Sequence, residues 1–158
     1  MPQNTINISF RSGMTNISDF FGCIDANQPI GVVAGKLTTL QAVQSLPRYL
    51  DRGGNVFIDS GAFTAFRTKE PMDWPKVLGR YSIISELTDH PENLFVVSPD
   101  CVGDQHGTLA LTQGWRDHIL KLIQYGTHVI IPLQCGTLPA QAMIEHIAQI
   151  LGTRNWIA

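Results

Sequence analysis

Charge is scarce in this chain: Asp, Glu, Lys and Arg make up 15% of its 158 residues, and 11 cations against 13 anions leave a formal charge of −2. With 44% hydrophobic residues, that balance excludes a disordered composition. It also removes any global attraction for a phosphate backbone, so a nucleic-acid function would need a local patch or residues of another chain. Cysteine is sparse too. Cys23, Cys101 and Cys135 are odd in number and lack the C-x-x-C spacing of a structural zinc site, and no charged leader followed by an apolar stretch is visible. A reducing cytoplasm is the expected setting. No apolar run approaches the ~20 residues needed to cross a bilayer, so no membrane role is expected.

Several nucleotide and hydrolase signatures are missing as well. There is no G-x-G-x-x-G after an apolar run and no G-x-S-x-G. The run from Gly31 to Leu37 imitates a phosphate loop, but it has one residue too few between its glycines, and Leu37 stands where a Ser or Thr should hold magnesium. Dinucleotide, triphosphatase and serine-hydrolase chemistry are thereby disfavoured.

What is present is an alternation of short β-rich runs with helical spacing, over a length that suits one domain, residues 1–158. Ile6-Asn7-Ile8-Ser9-Phe10 alternates as a half-exposed strand, and Ile30–Ala34 reads as a first buried strand. Leu37, Leu40, Val43 and Leu46 then repeat at helical spacing until Pro47, and Gly53-Gly54 closes the unit. A second strand ends at Ile58. A polar link through Lys69, Glu70 and Pro71 leads to a helix carrying Val77, Leu78, Tyr81, Ile84 and Leu87 on one side. Leu94–Val97 is a third strand, a long helix is expected from Thr108 to Tyr125, and His128–Leu133 is a fourth strand. Pro139 opens a last helix that Gly152 stops, and Asn155–Ala158 begins a fifth strand. The expected fold class is α/β with parallel (β/α) units: about half of a TIM barrel, or alternatively a flavodoxin-like open sheet.

In parallel sheets of either kind, ligands bind beyond the C-terminal ends of the strands. Three runs end there in polar residues: Asp59-Ser60-Gly61-Ala62-Phe63, Ser98-Pro99-Asp100, and Gln134-Cys135-Gly136. Asp59 is placed for acid/base work, Gly61 for close backbone approach, and Phe63 for stacking on a planar ring. Asp100 offers acceptors and Gln134 an amide, which together match the edge of a guanine-type base, where N–H donors adjoin a carbonyl. The plainer alternative makes Asp59 a cap and Phe63 core. Asp100, Asp104 and His106 also allow a divalent-metal hydrolase, although Asp104 suits equally the first turn of a helix.

These segments resemble the tRNA-guanine transglycosylase superfamily, which includes queuine tRNA-ribosyltransferases and DNA-modifying relatives that insert 7-deazaguanine bases. Asp59-Ser60-Gly61-Ala62-Phe63 is similar to that family's D-S-G-G-[FY] segment, Asp100 to its base-recognition aspartate, and Gln134-Cys135-Gly136 to its Q-G segment. Ala62 departs from the family's second glycine, a form closer to the DNA-modifying and phage-type branch, and Thr64 stands where glutamine is usual. The resemblance spans Val56 to Ala158. It implies a TIM-barrel enzyme exchanging guanine in DNA or tRNA for a 7-deazaguanine through a covalent glycosyl-enzyme intermediate. Asp59 would be the general acid/base, Phe63 the stacking partner, and Ser60, Gly61, Asp100, Gln134 and Gly136 the base contacts. The family's nucleophilic aspartate and zinc site have no counterpart here, so the expectation is a chain without its own cofactor that works with a C-terminal half or a second chain. A catalytically silent base-binding or assembly subunit is the alternative.

Overall fold

The computed structural model describes residues 8–14 and 16–158. Its elements alternate as the spacing requires: α1 (Ile17–Asp25), β1 (Ile30–Val33), α2 (Leu40–Asp51), β2 (Val56–Asp59), α3 (Ala62–Thr68), α4 (Trp74–Leu87), β3 (Leu94–Val97), α5 (Gln105–Gly114), α6 (Arg116–Tyr125), β4 (His128–Ile130) and α7 (Ala140–Leu151). Side-chain oxygens of Asn16, Thr39, Asp73 and Asp104 accept backbone N–H groups at the starts of α1, α2, α4 and α5. Left-handed glycines, Gly126 and Gly152, end α6 and α7. No helix among the described residues is long and apolar enough to cross a membrane.

The four strands form one parallel sheet in the order β1-β2-β3-β4. That order rises monotonically, whereas a flavodoxin-like sheet places β1 between β2 and β3. Single-residue parallel bridges extend it at both edges, Arg11 to Ile30 and Ile130 to Ile157. The expected fifth strand is therefore present as one bridge, fixed by Ile131 N–H to Ile157 O (2.8 Å) and Ile157 N–H to Val129 O (2.9 Å).

Residue parity divides the sheet into two unlike faces. Val56, Ile58, Leu94, Val96 and Val129 point to the side where α2 packs on α4 and α4 on α6, and all of them are buried. Each such side chain contributes about 1.5–3 kcal/mol. The other face has an aromatic row: Gly31, Phe57, Phe95 and His128 are register partners, with Phe95 stacked on His128 at 4.6 Å. Phe10 lies across this row, 5.7 Å from Phe57 and 5.6 Å from Phe95. One step toward the C-terminal edge come Val33 paired with Asp59, then Val97 paired with Ile130.

Four expectations change. Helix α2 runs through Pro47 instead of stopping there, because Val43, Leu46, Tyr49 and Leu50 bury a continuous stripe that outweighs one missing amide. The long helix from Thr108 to Tyr125 is two helices: it starts earlier, at Gln105 behind the Asp104 cap, and bends at Trp115 (φ −105°, ψ 15°). Gly114 is a weak helix former, and the Thr112 hydroxyl donates back to Thr108 O at 2.9 Å, both of which favour a bend. The link after β2 contains α3, whose two phenylalanines are exposed and so leave no apolar stripe to read. Finally, Ile8-Ser9-Phe10 is irregular instead of a strand, while Ile6 and Asn7 lie outside the described residues.

Candidate functional site

Asp59 is the last residue of β2 and faces the aromatic side of the sheet, beside Val33. Its Oδ2 accepts the Gly61 N–H at 3.2 Å, while Ser60, buried beneath the turn, accepts the Ala62 N–H at 3.2 Å. Gly61 has φ +88°, a backbone conformation that favours glycine, and a Cβ there would press on Val33 Cγ1 at 3.0 Å. Gly61→Ala is expected to destabilise the fold by about 1–3 kcal/mol, read as a lower urea midpoint at unchanged slope.

Asp100 follows β3 and is buried, 8% exposed. The Gln134 amide Nε2 donates to its Oδ2 at 2.9 Å, and Gln134 Oε1 in turn accepts the Gly103 N–H at 2.8 Å. That second bond fixes which end of the amide meets the carboxylate. It leaves one Nε2 proton and Asp100 Oδ1 without a partner among the described residues. Burial, and after it the negative charge of Asp59, push the Asp100 carboxyl up to about 6, against the opposing pull of the Gln134 bond.

The Gln134 loop is held by Gln105, 5% exposed in the first turn of α5. Its Nε2 donates to Gln134 O and Leu138 O, both at 2.9 Å, and its Oε1 accepts the Leu138 N–H at 2.8 Å. Gly136 makes room for this staple: a Cβ at 136 would be 2.3 Å from Gln105 Oε1. From α4, the fully buried Tyr81 directs its hydroxyl to Ile58 O at 3.5 Å; burial and the charges of Asp59 and Asp100 hold its phenol well above its ordinary range, so it stays a neutral donor. Ser98, also buried, has a hydroxyl with no hydrogen-bond partner among the described residues.

The structure thus joins Asp100 and Gln134 directly, brings Asp59 within electrostatic range, and gives Ser60, Gly61 and Gly136 supporting turns. Phe63 stands apart. It is 60% exposed on α3 and outside the core, because Ala62 takes the inward position of that first turn. Phe57 instead provides an aromatic wall beside Asp59, in a cavity of about 790 Å³ also lined by Val33, Ile130 and Phe10. A larger groove of about 920 Å³ runs over α1 and α2 past Leu40 and Arg48, but shares no residue with this site. Asp104 caps α5 by accepting the Gly107 N–H at 2.9 Å, and among the described residues no three His, Cys, Asp or Glu side chains converge.

Sequence periodicity assigns Tyr81 to core, and its only distinguishing signal is that a buried phenol needs a partner. Gln105 carries no signal, since its role depends on a loop 29 residues later. Comparison with protein-family models, with curated proteins and with solved structures finds no match. A carboxyl that titrates near neutrality beside a second carboxylate, with an oriented amide, can bind a lactam edge and move a proton.

Proposed function

We propose that this chain is the base-recognition part of a base-exchange transglycosylase that replaces guanine in DNA or tRNA with a 7-deazaguanine. The carrying observation is the Gln134–Asp100 hydrogen bond at the ends of adjacent parallel strands. Asp100 Oδ1 accepts the N–H of the base, the second Gln134 Nε2 proton goes to its carbonyl, and Asp59 is the general acid/base. Phe57 and Ile130 wall the cavity on the Asp59 side; Asp100 and Gln134 are not in its lining. A base with the opposite donor pattern would leave the buried Asp100 and the half-buried Gln134 unpaired, which disfavours it.

The nucleophilic aspartate and zinc implied by the resemblance are assigned to a C-terminal half or a second chain that completes the barrel on the aromatic face. Among the described residues no three His, Cys, Asp or Glu side chains group to hold that zinc. Three free cysteines fit a cytoplasmic setting.

Guanine binding, followed by calorimetry, is expected to weaken about tenfold per pH unit below about 6, because the base donors bind the ionised form of Asp100. Adenine should not compete. With the completing half present and labelled guanine supplied, Asp59→Ala should slow exchange by about 10²–10⁴-fold. Unchanged exchange in that variant, with binding intact, would remove Asp59 from the chemistry and favour the silent base-binding subunit.

A further inference from the structure

A second groove, of about 440 Å³, adjoins the Asp59 cavity and shares Val33 and Lys36 with it. Asp59 lines the cavity and the next two residues, Ser60 and Gly61, line the groove, so the end of β2 is the ridge between them. Three cations meet in the groove: Lys36 from the turn after β1, and Lys76 and Arg80 from α4. None of them forms an ion pair with a described residue. Arg80 is half-buried and gives one N–H to the Ala34 carbonyl, which fixes the guanidinium against the β1 turn with its other donors unused. The hydroxyls of Thr38 and Thr64 at the groove are likewise without partners among the described residues. Two acids also line it, yet Asp73 is engaged in capping α4 through the Lys76 N–H, and Glu70 is exposed.

A half-buried guanidinium that forms no ion pair with a described residue, beside two lysines and two hydroxyls, is chemistry for an anion with several acceptor oxygens. We infer that this groove is a phosphate subsite, and that it takes a backbone phosphodiester next to the nucleotide whose base lies at Asp59. The nucleotide assignment rests on the base-exchange proposal; the phosphate chemistry does not. It also answers how a chain with a formal charge of −2 grips a polyanion: the attraction is local.

The test uses the whole chain at low salt, with guanosine, guanosine 5′-monophosphate, a trinucleotide with guanosine at its centre, and inorganic phosphate as separate titrants. The monophosphate and the trinucleotide are expected to bind about tenfold more tightly than guanosine, an advantage that fades in high salt. Lys76→Gln, on an exposed helix position, should cut that advantage severalfold and leave guanosine affinity unchanged; Arg80→Gln should abolish it. Equal binding of guanosine and its phosphorylated forms would overturn the subsite. Tight monophosphate binding without trinucleotide binding would overturn the polynucleotide assignment. If phosphate protects Lys36 and Lys76 from acetylation while guanosine fails to bind, the groove stands and the base-exchange proposal falls; absence of any response to phosphate sinks the groove alone.

Discussion

Asp100→Asn is expected to stabilise the fold at pH 7 while abolishing guanine binding. The Asp100 carboxyl moves from its ordinary 3.8 to about 6 on folding, so the native protein holds this proton more tightly than the unfolded chain. The resulting stabilisation is complete below about 3.8 and is lost as pH rises through about 6, which leaves the ionised group a net burden at neutral pH. The displacement corresponds to at most about 3 kcal/mol. Asparagine removes the charge and still accepts from Gln134 Nε2. The difference in urea stability between variant and parent should therefore grow between pH 4 and pH 7. Equal destabilisation at both pH values would refute it, and so would retained guanine affinity in the variant.

Removing Gln105 should act in the opposite direction. Gln105→Ala deletes three hydrogen bonds in a buried position and strands the Leu138 N–H, a loss of about 2–4 kcal/mol. Base affinity should fall at least about tenfold as the Gln134 loop loosens, although Gln105 touches no base. The Leu138 amide should exchange rapidly in the variant. Gly136→Ala gives a sharper check. Its Cβ collides with Gln105 Oε1, Cδ and Cγ in the parent, and all three atoms are absent from Gln105→Ala, so the two substitutions should be markedly non-additive. Simple additivity would mean that Gly136 is retained for another reason.

The parts of the fold legible in sequence were those set by short-range pattern. The burial of Leu94–Val97 on both faces, the stripe of Val77, Leu78, Tyr81 and Ile84, and the glycine stops at Gly126 and Gly152 each repeat a local rule, whereas Leu87, expected on that stripe, is exposed. What failed was decided by distant packing. Pro47 survives in a helix because of the core beneath it. The site divides similarly. Strand ends announced Asp59, Asp100 and Gln134 as polar residues at one edge of the sheet, whereas Tyr81 and Gln105 became visible only once α4 and the 134–138 loop were in place.

Phe10 roofs the row of Phe57 and Phe95, and thereby gives the cleft beside Asp59 a hard floor. Phe10 precedes the first strand, so the placement of that short segment sets how deep this cavity is.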